Sequence, residues 1–280
     1  MADNNSIRDT AEAVKGIVEA VPVYQDMMQP AAKQVGTALE TMARTVNMAL
    51  APISGLVWGY EQIKDFVSVR VAEKLRGFPA DKIQTPDPTV AGPALEALKY
   101  TGCKEDLHEM YANLLANAIN VDTASSAHPG FVDMIRNLTS DEAKILHLLS
   151  SRRVYPIVTT KATLKNEEGQ VTLLENVSMI GTESECANPD FAPKYIDNLV
   201  RLGLLVIPPL EHLTKDKQYE KVINQPMIQE QKVAIENNKD QFSSYDIVKR
   251  YVKLTALGHM FATACIYPPK KPEPSLAPDG

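Results

Sequence analysis

The stretch from Leu107 to Leu149 constrains the fold most, because its apolar residues recur with the period of an α-helix. In its first half they are spaced i, i+3, i+4, i+7, i+8 and i+11, which places them along one side of a helix. These residues are Leu107, Met110, Tyr111, Leu114, Leu115 and Ala118. Glu105, Glu109, Asn113 and Asn117 lie four apart on another side, a spacing that predicts a solvated face.

The second half of this stretch continues the helical pattern. One apolar stripe is formed by Phe131, Met134, Ile135 and Leu138. Asp141 and Glu142 then fall in the first turn of a further helix, where carboxylates complement the helix dipole. That helix carries Ile145, Leu146 and Leu149 on its apolar side. The stretch predicts packed helices and contains no recognisable chemistry.

The overall composition excludes some classes of protein. With 280 residues, 44% of them hydrophobic, the chain is long enough to bury one or two ordinary cores. A net charge of -6 gives no global positive field, so binding to nucleic acid without sequence preference is not expected. The three cysteines lie far apart without metal-ligand spacing, which favours a reducing compartment. The polar N-terminus MADNNSIRDT fits no signal peptide, so we expect a cytoplasmic protein.

Upstream of Leu107 the same helical period predicts further helices. The first two cover about residues 6–21 and 30–50, and a third carries Ile53 to Val67 and ends near Gly77. The proline-rich segment 78–93 reads as a loop, with a fourth helix starting around Pro93. The prediction is an N-terminal helical bundle over residues 1–150.

From Ser151 the period changes to that of strands. Two β-branched runs joined by KATLKNEEG predict a hairpin, followed by a short helix that ends at Gly203 and a strand to Ile207. The polar residues 211–244 read as an exposed charged insertion, and the segment after it predicts a strand, Ile247 to Leu254, and a helix. This order resembles a winged helix-turn-helix. The predicted fold class is therefore mainly α, with a winged-helix-like α+β domain over 151–267 and a disordered proline-rich tail over 268–280.

Motifs for catalysis and metal binding are scarce. Glu105 and His108 have the E-x-x-H spacing of a di-iron ligand pair, but such a site needs a second copy, so we interpret them as a surface pair. The chain has no GxSxG, no P-loop and no GxGxxG, and Cys103 and His108 point apart on a helix. His128, which precedes a proline, is interpreted as a turn residue. We predict no catalytic, metal or cofactor site; an unrecognised hydrolase stays open as an alternative, because active sites are assembled in space.

A winged-helix reading would make residues 194–202 the helix that contacts DNA. Within it Lys194, Asn198 and Arg201 are suited to phosphates or base edges. Asp190 and Asp197 are acidic neighbours that oppose phosphate binding. A DNA-binding regulator is therefore an alternative, and a winged helix used for protein contact or as core is the favoured interpretation.

The segment 51–60 has features that suit close helix packing or a membrane. Gly55 and Gly59 have GxxxG spacing, and Trp58 and Tyr60 lie at one end of the run. The run is too short to span a bilayer, so the resting protein is predicted to use it in a packed hairpin. Our hypothesis is that it enters a membrane or mediates self-association after a trigger. The candidate residues are Ala51, Gly55, Leu56, Val57, Trp58, Gly59 and Tyr60.

The blocks GPALEALKY, DLHEMYANLLANAIN and HPGFVDMIRNLTSDEAKIL are similar to the bacterial Abi-alpha (abortive infection alpha) family. The segments LAPISGLVWGYEQIKDF and LRGFPADKIQTPDP carry the same resemblance, which is clearest over about residues 50–149. The resemblance implies a role in abortive infection, in which an infected bacterium stops growing or dies before phage mature. It carries over no mechanism. Because the sequence lacks enzyme motifs, we expect a non-enzymatic effector or sensor that acts through protein contacts and is triggered by a phage or host protein. A second copy of the chain and a membrane are further candidate partners, and nucleic acid is not an expected partner.

Overall fold

The computed structural model describes residues 60–101, 104–165 and 169–271, and in these ranges the protein is mostly helical with one small antiparallel sheet. The chain forms two compact units. Of the described residues, one unit takes those up to Leu138 together with those from Thr263 onward, and the other takes those within Thr139–Ala262. The two helices predicted over 6–21 and 30–50 lie outside the described residues.

The first unit consists of helices and helical turns. Its α-helices are α1 (Tyr60–Phe66), α2 (Ala72–Leu75), α3 (Pro88–Thr101), α4 (Glu105–Ile119) and α5 (Gly130–Arg136). A π-helical turn, Val67–Val71, joins α1 to α2, and 3-10 turns cover Ala80–Lys82 and Ala124–Ser126. Gly77 has a φ of +90°, so the expected glycine terminates this first helical run. The predicted apolar stripe of α4 is buried along its whole length.

The prediction that α3 begins near Pro93 was wrong, because the helix begins at Pro88. Asp87 precedes it and its carboxylate accepts hydrogen bonds from the backbone N–H and the hydroxyl of Thr89, at 2.8 and 2.7 Å. An aspartate cap followed by proline at the first helical position is a strong helix start. The sequence did not reveal this cap, because the segment contains many other turn-forming residues.

The prediction of a solvated face on α4 was wrong for Asn113 and Asn117, which are both 1% exposed. The Nδ2 of Asn113 donates to the carbonyls of Cys265 and Ile266, at 3.0 and 2.9 Å. The Nδ2 of Asn117 donates to the carbonyls of Ala264 and Tyr267, at 3.0 and 3.1 Å. These amides satisfy carbonyls at the end of a π-helical turn, Ala262–Ile266, which would otherwise be buried without partners.

The second unit builds its sheet around a long central strand. Its helices are α6 (Ser140–Ser151), α7 (Ile180–Glu183), α8 (Ala192–Arg201), α9 (Glu220–Ile223), α10 (Pro226–Asn237) and α11 (Ala256–Phe261). Its strands are β1 (Tyr155–Leu164), β2 (Gln170–Val177), β3 (Leu205–Val206) and β4 (Phe242–Leu254), in the order β2-β1-β4-β3 with every neighbouring pair antiparallel. The predicted hairpin is β1 and β2, and β4 begins five residues before its predicted start.

The segment 211–244 differs from the exposed insertion that its composition indicated. It forms a 3-10 turn, α9, α10 and the first residues of β4. Tyr219, Val222 and Ile228 are at most 1% exposed, and they form one cluster with Val158 of β1 and Val177 of β2. The segment therefore covers one part of the sheet with apolar side chains, spaced too irregularly among charges to be recognised as a helix face.

We predict that Asn117→Ala lowers the free energy of unfolding by about 1–3 kcal/mol, because buried carbonyls lose their donor. Asn237→Ala is the control at an exposed asparagine, the last residue of α10, with an expected loss below about 0.5 kcal/mol. Urea unfolding followed by circular dichroism measures both. Equal midpoints for Asn117→Ala and the wild type would contradict the role given to this amide.

Candidate functional site

The exposed face of α8 is the candidate functional site of the second unit. The buried side of the helix carries Ala192, Ile196 and Leu199, which are at most 1% exposed. The opposite side continues from a 3-10 turn, Pro189–Phe191, into α8 and is exposed to solvent. We call it the α8 face; it consists of Asp190, Phe191, Lys194, Asp197, Val200 and Arg201.

Asp141, in the first turn of α6, fixes the chain that enters α8. Its carboxylate accepts hydrogen bonds from the backbone N–H groups of Ala187 and Asn188, at 2.8 and 3.1 Å, and from the hydroxyl of Tyr195 at 2.8 Å. Burial raises the pKa of this carboxyl, but the three hydrogen bonds outweigh burial and hold the pKa below its usual value. Burial and the bond to Asp141 raise the pKa of Tyr195 to about 12. One buried carboxylate thus joins α6, the loop before α8 and α8 itself.

Glu142 makes a second connection one residue further along α6. It completes a capping box with Thr139, in which the Thr139 hydroxyl accepts from the Glu142 N–H and the Glu142 side chain accepts from the Thr139 N–H. Its other oxygen accepts a hydrogen bond from the Nδ2 of Asn198 at 2.7 Å. Two adjacent acidic residues therefore hold α8 at both of its halves.

Gly181, in α7, lies so close to Pro189, in the turn before α8, that a side chain does not fit there. A Cβ atom there would lie 2.5 Å from the carbonyl oxygen of Pro189, closer than real contacts of this kind. Beyond α8, Gly203 has a φ of +74° and ends the helix, and its carbonyl accepts a hydrogen bond from the Thr255 hydroxyl at 2.6 Å. The close approach of Gly181 to Pro189 and the hydrogen bond from Thr255 to Gly203 therefore fix the chain at the two ends of α8.

The structure places the three residues predicted for DNA contact on or beside the α8 face. The Lys194 ammonium lies 4.2 Å from the centre of the Phe191 ring, a cation–π contact. Asn198 donates to Glu142, and its Oδ1 accepts from the Nε and Nη2 of Arg201, at 3.0 and 2.7 Å. Both ends of the Asn198 amide are thus engaged within the protein, whereas Lys194 and Arg201 extend from the surface.

The residues predicted for membrane contact or self-association, Ala51 to Gly59, lie outside the described residues, and Tyr60 is the first residue of α1. No helix within the described ranges is long and apolar enough to cross a membrane.

Groups that could carry chemistry are dispersed among the described residues. His108 stacks on Phe66 with ring centres 4.7 Å apart, and burial lowers its pKa. The described ranges contain no cluster of three or more histidine, cysteine or acidic side chains able to hold a metal ion. Burial raises the pKa of the Cys186 thiol to about 11, and its Sγ lies 3.6 Å from the carbonyl oxygen of Asp141. The His128 Nδ1 accepts from the Gly130 N–H at 3.0 Å, as expected of a turn residue.

Sequence reasoning missed Phe191 and Val200, which are 45% and 38% exposed on the α8 face. Val200 follows Leu199 in an apolar run, so the sequence does not show which of the two faces solvent. It also missed that Asp141 and Glu142 reach beyond their own helix. The T-x-x-E spacing of Thr139 and Glu142 signals a helix start, but no local pattern shows the contacts with residues 187–198.

In the described part of the second unit, a small antiparallel sheet and its helices support α8, which is anchored by Asp141 and Glu142 and exposed on its outer side. The chain belongs to the abortive infection alpha family, whose family model matches residues 59–265. That range extends well beyond the part in which the sequence resemblance was clearest.

Among solved structures, the chain is similar to an uncharacterized protein from the hydrocarbon-degrading marine bacterium Alcanivorax borkumensis SK2. The two are 19% identical, with a TM-score of 0.36, over 52% of this chain and 98% of the other. A TM-score at this level does not establish a common fold. No protein with curated annotation matches the chain.

We predict that Asp141→Asn lowers the free energy of unfolding by about 1–3 kcal/mol at pH 7, because two backbone N–H groups and a tyrosine hydroxyl lose a charged acceptor. The folded pKa of Asp141 lies below its ordinary value of 3.8, so its stabilisation is complete above that value and is lost as the pH falls through the lower, folded pKa. The difference between the variant and the wild type should shrink over that acidic range. Asp240→Asn, at an exposed position, is the control, and a pH-independent difference for Asp141→Asn would contradict this account.

Proposed function

We propose that this protein acts in abortive-infection defence against phage, in the bacterial cytoplasm, as a non-enzymatic effector or sensor that works through protein contacts. Membership of the abortive infection alpha family is the observation that carries the defence role. The trigger in this proposal is a phage protein or a host protein changed by infection.

The composition of the α8 face supports protein contacts as the mode of action. It exposes an aromatic and a branched apolar side chain, Phe191 and Val200, between charged residues. Aromatic residues are enriched in the cores of protein interfaces, which are rimmed by polar groups. Its two acidic and two basic side chains leave no net positive charge, whereas phosphate binding depends on excess Lys and Arg.

A membrane step after the trigger is a further part of the proposal. The small residues Gly55 and Gly59 and the aromatic residues Trp58 and Tyr60 support it from the sequence. Infected cells should then admit a membrane-impermeant dye, and Gly55→Leu should delay dye entry because a bulky side chain prevents close helix approach. Dye entry that is equal with and without the protein would remove the membrane step and leave the protein-contact proposal in place.

A winged-helix regulator that binds DNA is the second candidate function. The order of elements favours it, since α6, β1, α7, α8, β3 and β4 follow the winged-helix sequence and β4 pairs between β1 and β3. The β2 strand and the segment 211–241 are additions to that pattern. A salt-sensitive gel shift on pooled genomic fragments that weakens with Lys194→Glu or Arg201→Glu would favour this candidate, and no binding at low salt would end it.

We predict that Val200→Asp abolishes protection from phage, because it replaces one of the two exposed apolar side chains of the α8 face with a charge. Val233→Asp is the matched control, since Val233 is 55% exposed on α10, away from the α8 face. Plaque counts and culture growth after phage challenge measure protection, with equal protein levels confirmed in each strain. Full protection by Val200→Asp would contradict a role for this face.

A further inference from the structure

We propose that the α8 face binds a second copy of this chain, so that two α8 helices pair antiparallel about a twofold axis. This names a partner for the surface described under the proposed function. It rests on that function only for its biological purpose, and association in solution tests it without phage.

The four charged residues of the α8 face form one stripe. Lys194, Asp197 and Arg201 are separated by three and four positions, which is the spacing of neighbours along one side of α8. Asp190, four positions before Lys194, extends the stripe from the 3-10 turn that leads into α8. Their charges alternate along the stripe as acidic, basic, acidic, basic. All four are exposed.

The charges of one stripe complement those of a second copy only when the two stripes run antiparallel. When a second stripe runs antiparallel, Asp190 faces Arg201 of the second copy and Lys194 faces Asp197. Both pairs are centred on the same point, between Tyr195 and Ile196, so one twofold axis satisfies all four contacts. A parallel pair in register would instead place like charges opposite each other.

The surroundings of the stripe suit a charged seam that is bordered by apolar surface. Phe191 and Val200 flank it with exposed apolar surface. Lys194 is held over the Phe191 ring, Arg201 is held by Asn198, and one Asp197 oxygen accepts from the Nδ2 of Asn176 at 3.2 Å. Three of the four charged side chains are therefore ordered before association. Preordered side chains lose less entropy on binding.

The small size of the α8 face limits the expected affinity of the dimer. A pair of helices of this length buries less than the roughly 800 Å² per partner of a standard stable interface. We therefore expect a weak dimer with a Kd of about 10–100 μM, populated where the local concentration is high. Its charge pairs should make the association weaker at high salt.

Sedimentation velocity of the full chain, from about 1 to 300 μM, tests the proposal, with the range set to span the expected Kd. The wild type should shift from monomer to dimer. Lys194→Glu alone and Asp197→Lys alone should each weaken the homodimer at least tenfold, because each places two like-charged pairs across the twofold axis. An equimolar mixture of the two variants should recover the dimer. In that mixed dimer the two substituted side chains face each other with opposite charges, and the native Lys194 of one chain faces the native Asp197 of the other.

Lys217→Glu is the control for charge reversal at an exposed site outside α8, and it should dimerise as the wild type does. Circular dichroism confirms that each variant is folded. A wild type that stays monomeric to 300 μM, a charge reversal without effect, or a mixture that fails to recover the dimer would overturn the proposal. If the wild type is monomeric while Val200→Asp still abolishes protection, the face serves a different protein, and the proposed function stands without this inference.

Discussion

The pair of buried carboxylates at the start of α6 is the interaction on which the second unit depends most. Asp141 and Glu142 would each be costly to bury alone, but each is surrounded by donors from other elements. Because these donors come from the loop before α8 and from α8 itself, satisfying the carboxylates also fixes the helix. The helix is thus positioned by charge-assisted hydrogen bonds, which are directional, and its inner apolar side then packs without ambiguity.

A firmly held helix leaves its outer side available for binding. Surfaces that are ordered before binding lose less conformational entropy when a partner arrives, which matters most for a small contact area. The α8 face combines an exposed aromatic ring, an exposed valine and balanced charges, so it is better suited to a protein than to the phosphate backbone of DNA. The proposed defence role rests on the family to which the chain belongs, and the α8 face is the surface through which we propose that this role is carried out.

The periodic part of the fold could be predicted from the sequence, and the long-range polar contacts could not. The apolar stripe of α4 and the hairpin of β1 and β2 follow from local spacing, which is a property of adjacent residues. Asn113 and Asn117 looked solvent-exposed because the carbonyls that bury them belong to a segment about 150 positions further along the chain. The helices of 211–244 were missed for a related reason, since Tyr219 and Ile228 contribute to a core whose other members lie on β1 and β2. The α8 face was only partly predictable, because its charges are visible in the sequence while the exposure of Phe191 and Val200 depends on the fold.

The most direct test of the α8 face as a protein-binding surface is zero-length cross-linking of an equal mixture of unlabelled and ¹⁵N-labelled chains, followed by mass spectrometry. Lys194 and Asp197 carry the amine and the carboxylate that a carbodiimide joins when they are in contact. We expect Lys194–Asp197 cross-linked peptides in which one half is labelled and the other is not, because the two residues face each other across two chains. Cross-links confined to peptides of a single label would contradict the pairing and leave the surface without the partner assigned to it.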